Sequence, residues 1–417
     1  MNLHVIKKKF CQEVILDVSG CRHSKIVIAQ KFLALCLKVL GGLVLTLVLA
    51  PISLFRPIRI LVKRKQSESK ASFFIEDFEG TLRELKTNKK FRKTVVISPL
   101  FSSYPNAQLA KMYSNHVLLL LNRSRIIHEL FDYVWPIFNI TRSSVRNSSP
   151  EYFKNWNSCD SIISFSKSEV LAGRNFERQL FGDEAKPWAT ICLGSARYRK
   201  IVDFKGSDLP NSLTIVGIEQ YGPAIEFLAE QGLNIVRFGT HVDEDIPTYL
   251  KGSIFDATSV RSDFTDVWIN SECKFILSGV SGGWWLGAPF NKPVACTNGP
   301  FPIGSHGFLD LFIPCMPWLV KKNSFASFEW QFRNFGWSTD SSKLGSEYIG
   351  VQNSSLQIVD LVDEILKRLS GKWYESVEDM KLQARFKNLQ NILTPNLRTP
   401  ARIGAKFLRE HQYLLPD

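Results

Sequence analysis

The stretch SGVSGGWWLGAPFNKPVACTN, Ser278–Asn298, decides the fold expected for this chain. It follows CKFIL, Cys273–Leu277, an apolar run that predicts a short buried strand, and it contains a second such run, Pro293–Cys296. Three glycines within five residues allow the backbone between the strands to bend sharply and a ligand to approach it closely. Strand, glycine turn, short helix and strand in this order are typical of an α/β sheet with parallel strands.

The glycine turn also indicates a kind of ligand. Ligands of parallel α/β sheets bind beyond the carboxyl ends of the strands, where a turn into a helix offers unpaired backbone N–H groups to phosphate. We therefore predict that Ser278, Ser281, Gly282 and Gly283 bind the phosphates of a ligand. The spacing matches neither the dinucleotide G-x-G-x-x-G nor the P-loop motif. A tight turn without a ligand is the alternative interpretation.

Strand-like and helix-like segments alternate along the rest of the chain, which favours a mainly parallel sheet. Apolar runs predict strands at Thr94–Leu100, His116–Leu121, Ser161–Phe165, Ala189–Leu193, Leu233–Phe238 and Ser253–Phe255. Amphipathic or capped segments predict helices at Asn106–Tyr113, Ser168–Leu180, Tyr221–Gln231, Asp263–Asn270 and after Ser355.

Composition narrows the class of protein. The chain has 417 residues, of which 45% are hydrophobic and 22% charged, and two domains behind an N-terminal extension are expected. Its net charge of +13 indicates an anionic neighbour such as phospholipid head groups or a phosphorylated substrate. No zinc-finger spacing or basic run interleaved with aromatic residues points to nucleic acid. Eight cysteines without a C-x-x-C pair favour a reducing, cytosolic environment.

The N-terminal region contains an uncharged apolar run, Val39–Phe55, about 25 Å long as a helix. Extension to Phe32 gives a full membrane span that includes Lys38. No signal-peptide cleavage pattern follows, so we expect a retained anchor, either a single span or a monotopic helix broken near Pro51. A buried hairpin of the soluble core is the alternative. Basic residues beyond the run favour a cytoplasmic position for the rest of the chain.

Three segments carry a family resemblance: YGPAIEFLAEQGLNIVRFG (Tyr221–Gly239), SVRSDFTDVWINSECKFILSGVSGG (Ser259–Gly283) and PFNKPVACTNGP (Pro289–Pro300). Together they resemble the C-terminal region of a family of bacterial glycosyltransferases that is associated with surface-polysaccharide synthesis and is distantly similar to fucosyltransferases. The resemblance implies a GT-B-like pair of Rossmann-like domains in which the C-terminal domain holds a nucleotide-sugar donor.

This resemblance and the anchor predict four regions. Residues 1–70 would form the membrane anchor and a basic linker, and residues 71–205 an acceptor-side Rossmann-like domain. Residues 206–371 would form the nucleotide-sugar domain, and residues 372–417 a helical tail. The implied location is the bacterial inner membrane, with the catalytic part in the cytoplasm.

Basic and small residues complete the predicted donor site. Arg237, at a strand end beside Gly239, suits bidentate contact with a diphosphate. Where the family usually has a His-x-Arg-Asp-like stretch, this chain has GSARYRK, so the resemblance leaves Arg197 or Arg199 as the cationic partner of the phosphates. Asn298 either contacts the donor or caps the next turn.

No metal or other cofactor is expected, because basic side chains would replace the cation. The Asp-x-Asp pair in HVDED, His241–Asp245, resembles a metal-binding carboxylate pair but is interpreted as an acidic loop. No catalytic residue can be named: His116, His128 and Asp132 in the acceptor-side half and His306 further on lack distinguishing context. Trp284 and Trp285 either pack the short helix or stack on a nucleobase or sugar.

The sequence thus predicts a membrane-associated glycosyltransferase that moves a sugar from a nucleotide-sugar donor to a surface-polysaccharide or lipid-linked glycan acceptor. A non-catalytic GT-B-like scaffold in a polysaccharide assembly complex is the first alternative, favoured by the altered GSARYRK stretch. A nucleotide-sugar epimerase is the second, although it would need neither an acceptor nor an anchor.

Overall fold

The chain forms two compact units. The structure is a computed structural model that describes residues 25–61, 70–88, 94–100, 104–121, 125–137, 139–143, 149–183, 186–197, 215–299, 306–334, 345–394 and 399–416. The first unit comprises residues 1–105 and 110–146, and the second comprises residues 106–109 and 147–417.

The first unit is built on a four-stranded parallel sheet with the strand order β3-β2-β1-β4. The strands are β1 (Ile58–Leu61), β2 (Val95–Leu100), β3 (Val117–Leu121) and β4 (Ile140–Ser143). Its helices are α1 (Lys25–Phe55), α2 (Ala71–Thr87) and α4 (Arg125–Leu130), and α3 (Ala107–Ser114) has its first residues in the second unit.

Helix α1 belongs to the core of the first unit. Leu49 of α1 packs in one apolar cluster with Ile58, Ile97, Phe131 and Val134, all of which are buried. Apolar burial of this kind contributes roughly 25 cal/mol per Å² of surface removed from water. The predicted anchor is therefore also a structural helix of the domain that follows it.

The opposite face of α1 is apolar and exposed. Leu33, Leu47 and Leu54 on this face are each more than half exposed. Within the described residues, Phe32–Phe55 is the one segment long and apolar enough to cross a membrane, a property that core helices and signal sequences share. The helix continues through Pro51 to Phe55, so the alternative of a helix broken near Pro51 is wrong; this proline removes one backbone hydrogen bond, and the helix continues past it.

The second unit is built on a seven-stranded parallel sheet with the order β14-β10-β9-β8-β5-β6-β7. These strands are β5 (Trp188–Cys192), β6 (Asn234–Arg237), β7 (Phe255–Asp256), β8 (Ile276–Ser278), β9 (Val294–Gly299), β10 (Leu311–Pro314) and β14 (Arg402–Ile403). A separate antiparallel sheet has the order β12-β11-β13 and consists of β11 (Met316–Leu319), β12 (Ser324–Phe325) and β13 (Tyr348–Val351).

Eight described helices belong to the second unit: α5 (Pro150–Asn157), α6 (Lys167–Phe181), α7 (Gly222–Glu230), α8 (Asp263–Glu272), α9 (Phe328–Asn334), α10 (Ser355–Leu369), α11 (Val377–Leu393) and α12 (Ala405–Glu410). Ser262 caps α8, because its hydroxyl accepts a hydrogen bond from the Thr265 N–H. Gly232, beyond the end of α7, has a φ of 79°, which explains the glycine at this position.

The predicted α/β class with mainly parallel sheets is confirmed by the four-stranded and seven-stranded sheets, which are parallel. One predicted strand is wrong: Ser161–Phe165 is irregular. The Ser161 hydroxyl donates to the Ile163 carbonyl, and Ser166 begins α6 with a capping box, so the segment is a connection between helices.

The four predicted regions differ from the observed division in three places. β1 lies inside the predicted anchor and linker, yet it pairs with both β2 and β4. β5 lies inside the predicted acceptor-side domain, yet it pairs with β6 and β8 in the sheet of the second unit. The predicted tail supplies β14 to the same sheet, beside β10. Contacts distant in sequence, which local patterns do not report, determine each of these placements.

Candidate functional site

The carboxyl ends of four neighbouring strands bring most of the predicted site residues to one edge of the larger sheet. Cys192, Ser278 and Cys296 are register partners across β5, β8 and β9. The turns that follow β5 and β8 are therefore neighbours, and the end of β6 lies beside that of β5. This is the edge at which parallel α/β sheets bind their ligands.

The Ser278 hydroxyl serves the turn itself. Ser278 is buried, and its Oγ lies 3.2 Å from the Cys192 carbonyl oxygen and 2.8 Å from that of Gly279. The Gly279 N–H also donates to the Cys192 carbonyl, at 3.1 Å. The predicted role of Ser278 as a phosphate donor is thus replaced by one in fixing the turn to β5.

Ser281 and Gly283 hold the other side of the turn. The Ser281 hydroxyl lies 2.9 Å from the Cys192 sulfur and accepts a hydrogen bond of 3.1 Å from the Gly283 N–H. Burial raises the pKa of the Cys192 thiol to about 11, which favours the protonated thiol over the reactive thiolate at neutral pH. A Cβ on Gly283 would lie 2.4 Å from the same sulfur, which explains why glycine is needed there.

Gly282 is the exposed member of the turn. Its carbonyl accepts a hydrogen bond of 3.3 Å from the Trp285 N–H at the start of a short 3₁₀-helix, Gly283–Leu286. Its own N–H has no acceptor among the residues that the structure describes. Of the four predicted turn residues, Gly282 therefore has the backbone amide best placed to meet a ligand from solvent.

Arg237 is held by protein groups. Its guanidinium donates to the Glu244 carbonyl at 2.7 Å and to the Asp256 carboxylate at 2.5 Å, and the side chain is only 7% exposed. Burial alone would raise the pKa of Asp256, but hydrogen bonds from Arg237 and Thr258 lower it below its ordinary value. The Asp256 carboxyl is thus ionised at neutral pH. Gly239 follows with a φ of 152°, a conformation that favours glycine.

Arg197 is exposed, and Asp243 fixes the start of its loop. The N–H groups of Ala196 and Arg197 and the Ser195 hydroxyl all donate to the Asp243 carboxylate, at 2.5, 2.9 and 2.8 Å. Burial alone would raise the pKa of Asp243, but these donors lower it. The Asp-x-Asp pair thus includes a carboxylate that caps a loop of the chain. Arg199 lies outside the described residues.

Asn298 lies near the end of β9, and the turn that it was predicted to cap lies outside the described residues. Asn298 is buried, has a φ of 56°, and exchanges two hydrogen bonds with Asn353. The Asn298 N–H donates to Asn353 Oδ1 at 2.7 Å, and the Asn353 N–H donates to Asn298 Oδ1 at 2.6 Å. The pair ties β9 to the segment that enters α10.

Tyr221 lies beside the glycine turn, and the sequence analysis did not identify it as a residue of the site. Its hydroxyl lies 2.6 Å from Thr297 Oγ1, and a Cβ on Gly279 would come within 3.1 Å of it. The tyrosine precedes α7 directly and reaches the turn from there. Its position in the quoted YGPAIEF segment is the one sequence signal that could have identified it.

The two tryptophans of the turn pack against protein groups. Trp284 and Trp285 are both buried, with ring centroids 4.5 Å apart. Trp285 also lies 4.7 Å from the ring of His306, which in turn lies 4.7 Å from Trp156. This arrangement favours the packing role of the tryptophans, and it places His306 in an aromatic cluster. In the described part of the chain, no group of three or more His, Cys, Asp or Glu side chains could hold a metal ion.

Comparisons with known proteins give structural similarities only. No family model matches the chain, and no curated protein matches it. The E. coli ADP-heptose lipopolysaccharide heptosyltransferase II matches with a TM-score of 0.43 and 12% identity over 76% of this chain and 99% of its own. A glycosyl transferase of family 9 from Veillonella parvula matches with a TM-score of 0.45 and 11% identity over 75% and 98%.

The E. coli heptosyltransferase WaaC with ADP-2-deoxy-2-fluoro heptose matches with a TM-score of 0.34 and 10% identity over 62% of this chain and 92% of its own. None of these three proteins is named as a fucosyltransferase, so that part of the predicted resemblance has no counterpart among them.

Proposed function

We propose that the chain is a glycosyltransferase of GT-B-like architecture that moves a sugar from a nucleotide-sugar donor to a surface-polysaccharide or lipid-linked glycan acceptor. One observation carries the proposal. Gly282 is exposed, its amide has no acceptor among the described residues, and it lies at the carboxyl edge of a parallel sheet in the turn whose sequence carries the family resemblance. A turn of this kind suits the diphosphate of such a donor.

The donor site that we propose is smaller than the one predicted from the sequence. It consists of the amide of Gly282 and the guanidinium of Arg197, which project from neighbouring turns, and it omits Arg237 and Ser278 because protein groups engage them. When the bond between the sugar and the diphosphate breaks, negative charge grows on the departing nucleoside diphosphate. A fixed amide dipole and a cation near those oxygens would stabilise that charge without a metal ion.

The proposed setting is the cytoplasmic face of the bacterial inner membrane. The exposed apolar face of α1 supports contact with lipid. The net charge of +13 supports attraction to an anionic membrane surface.

A non-catalytic scaffold remains the second candidate, and specific observations favour it. GSARYRK replaces the family's His-x-Arg-Asp-like stretch, and the buried Arg237 is already paired with Asp256. A scaffold would keep the fold and the membrane contact but would not bind a nucleotide sugar.

Thermal unfolding of the purified full chain with ADP, GDP, UDP and their sugar conjugates separates the two candidates. A ligand at a hundred times its dissociation constant adds about 2.7 kcal/mol to the free energy of unfolding. We expect one nucleotide series to raise the melting temperature. Absence of a shift with every ligand at millimolar concentration would contradict the transferase and leave the scaffold.

Two matched variants then test the proposed donor site. Gly282→Pro removes the amide hydrogen at a φ of −78°, which proline tolerates, whereas Gly282→Ala keeps that hydrogen. We expect Gly282→Pro and Arg197→Ala each to weaken nucleotide binding about tenfold, the loss of one charge-assisted contact, and Gly282→Ala to bind normally. Equal binding by the proline and alanine variants would exclude the Gly282 amide from the site.

A further inference from the structure

A groove of about 810 Å³ lies beside α1 in the first unit. Leu40 and Val44 of α1 form part of one wall, and Leu119 and Leu130 form part of the others. Apart from His128, the described residues that line the groove are aliphatic or aromatic, or are glycine or proline. A volume of this size lies within the range of roughly 300–1,000 Å³ that is typical of ligand sites.

The groove opens on the face of α1 that would meet lipid. Leu40 and Val44 line the groove and are nevertheless 58% and 55% exposed. They belong to Phe32–Phe55, the described segment that is long and apolar enough to cross a membrane. When this face contacts a membrane, the molecules next to the opening are lipids, so the aliphatic walls suit a hydrocarbon chain.

The groove is also lined by residues near the carboxyl edge of the four-stranded sheet. Pro99 and Leu120 both line the groove, and they are register partners in the penultimate positions of β2 and β3. In open parallel sheets this edge is where polar ligands bind. The groove therefore connects a lipid-facing surface to a place where a polar head group can be bound.

We propose that this groove holds the hydrocarbon chain of the lipid-linked acceptor and that its head group lies at the carboxyl edge of the sheet. This inference rests on the proposed function, of which it specifies the acceptor as a membrane lipid with a long chain. His128, the ionisable residue among the described lining residues, is the side chain that the head group would meet in the groove.

The test uses the full chain in lipid nanodiscs and a long-chain alkyl phosphate that carries a diazirine on the chain. We expect photolysis to label peptides of α1 and β3, and a short-chain alkyl phosphate with the same diazirine to label them weakly. Equal labelling by the long-chain and short-chain probes, or labelling of other peptides, would overturn the proposal.

Two tryptophan variants form a matched pair for the same probe. Leu40 and Leu47 are 58% and 61% exposed on α1, but only Leu40 lines the groove. Leu40→Trp fills the groove, and we expect it to reduce labelling about tenfold, whereas Leu47→Trp leaves labelling unchanged. Equal labelling of the two variants would overturn the proposal.

Transfer activity distinguishes an acceptor from an ordinary membrane lipid. With the donor identified by nucleotide titration, Leu40→Trp should raise the KM for a membrane-lipid acceptor, and Leu47→Trp should not. Lost labelling with unchanged transfer would mean that the groove holds bulk lipid, which overturns the acceptor assignment. If labelling depends on Leu40 but the protein binds no nucleotide, the groove still binds a hydrocarbon chain and the proposed transferase function is refuted.

Discussion

Arg237 shows what a sequence predicts about a single residue and what it does not. Its position at a strand end beside a glycine was predicted correctly, since β6 ends at Arg237. Its guanidinium donates a hydrogen bond to the Asp256 carboxylate. Asp256 is the register partner of Arg237 on β7 and lies nineteen positions later in the chain. Cross-strand register is not visible in a local pattern, so the sequence could not show whether this cation is available to a ligand.

Arg237→Ala should therefore lower the stability of the fold itself. Removing one partner of a fully buried ion pair costs roughly 3–5 kcal/mol, and we expect about 2–3 kcal/mol here because the Asp256 side chain is 33% exposed. Denaturant unfolding measures this difference, with the exposed Arg197→Ala variant as the control that stays near the wild-type stability. If Arg237→Ala lost nucleotide binding at full stability, Arg237 would belong in the donor site.

The contribution of this pair should also depend on pH. Asp256 has a pKa below its ordinary value of 3.8 in the folded protein, so it stabilises the fold above that value and loses this effect as the pH falls through the lowered pKa. The stability difference between wild type and Arg237→Ala should consequently shrink below about pH 4. A difference that stays constant to the acid limit of folding would exclude the ion pair as its cause.

At the scale of elements, the sequence predicted secondary structure better than the environment of each element. The glycine turn, the Ser262 cap and most strands could be predicted, because local patterns specify them. The packing of α1 could not, since an apolar helix has the same hydropathy against lipid as against a sheet. The small residues Gly42 and Thr46 were the available sequence signal that α1 packs closely against protein. Both contact the segment after α4, where the Trp135 N–H donates a hydrogen bond of 2.9 Å to Thr46 Oγ1.

Gly42→Ala tests whether α1 is part of the first unit. A Cβ at residue 42 would lie 2.5 Å from the Tyr133 carbonyl oxygen, whereas at residue 41 it would meet the movable end of Leu130. We expect Gly42→Ala to cost about 1–3 kcal/mol of stability and Gly41→Ala to cost little. An anchor separate from the domain would behave differently, because both substitutions would then favour the helix by up to about 1 kcal/mol. Thermal unfolding in detergent distinguishes these outcomes.

At the scale of the whole molecule, the packing of α1 bears on how the chain meets a membrane. Leu49 lies in the core of the first unit, and the Ser53 carbonyl accepts a hydrogen bond of 3.0 Å from the Asn139 side chain. Lys38 lies nearer the start of the helix and pairs with Glu129 at 2.8 Å. A bilayer-spanning α1 would carry these partners into the hydrocarbon, where charged and backbone groups are costly.

We therefore expect α1 to lie in the membrane interface, with both of its ends on the same side of the membrane as the sheet of the first unit. Gln30 and Arg56 are exposed near the two ends, and about 39 Å of helix separates them, enough to cross a hydrocarbon core. Gln30→Cys and Arg56→Cys serve as single reporter cysteines in a background in which Cys11, Cys21 and Cys36 are changed to serine. The other five cysteines are buried and can stay. After the protein binds to sealed preformed vesicles, a membrane-impermeant maleimide should label both reporters from outside. Labelling of Arg56→Cys alone, with Gln30→Cys reacting only after the vesicles are opened, would instead establish a single span, and the lipid-facing groove would then lie within the bilayer.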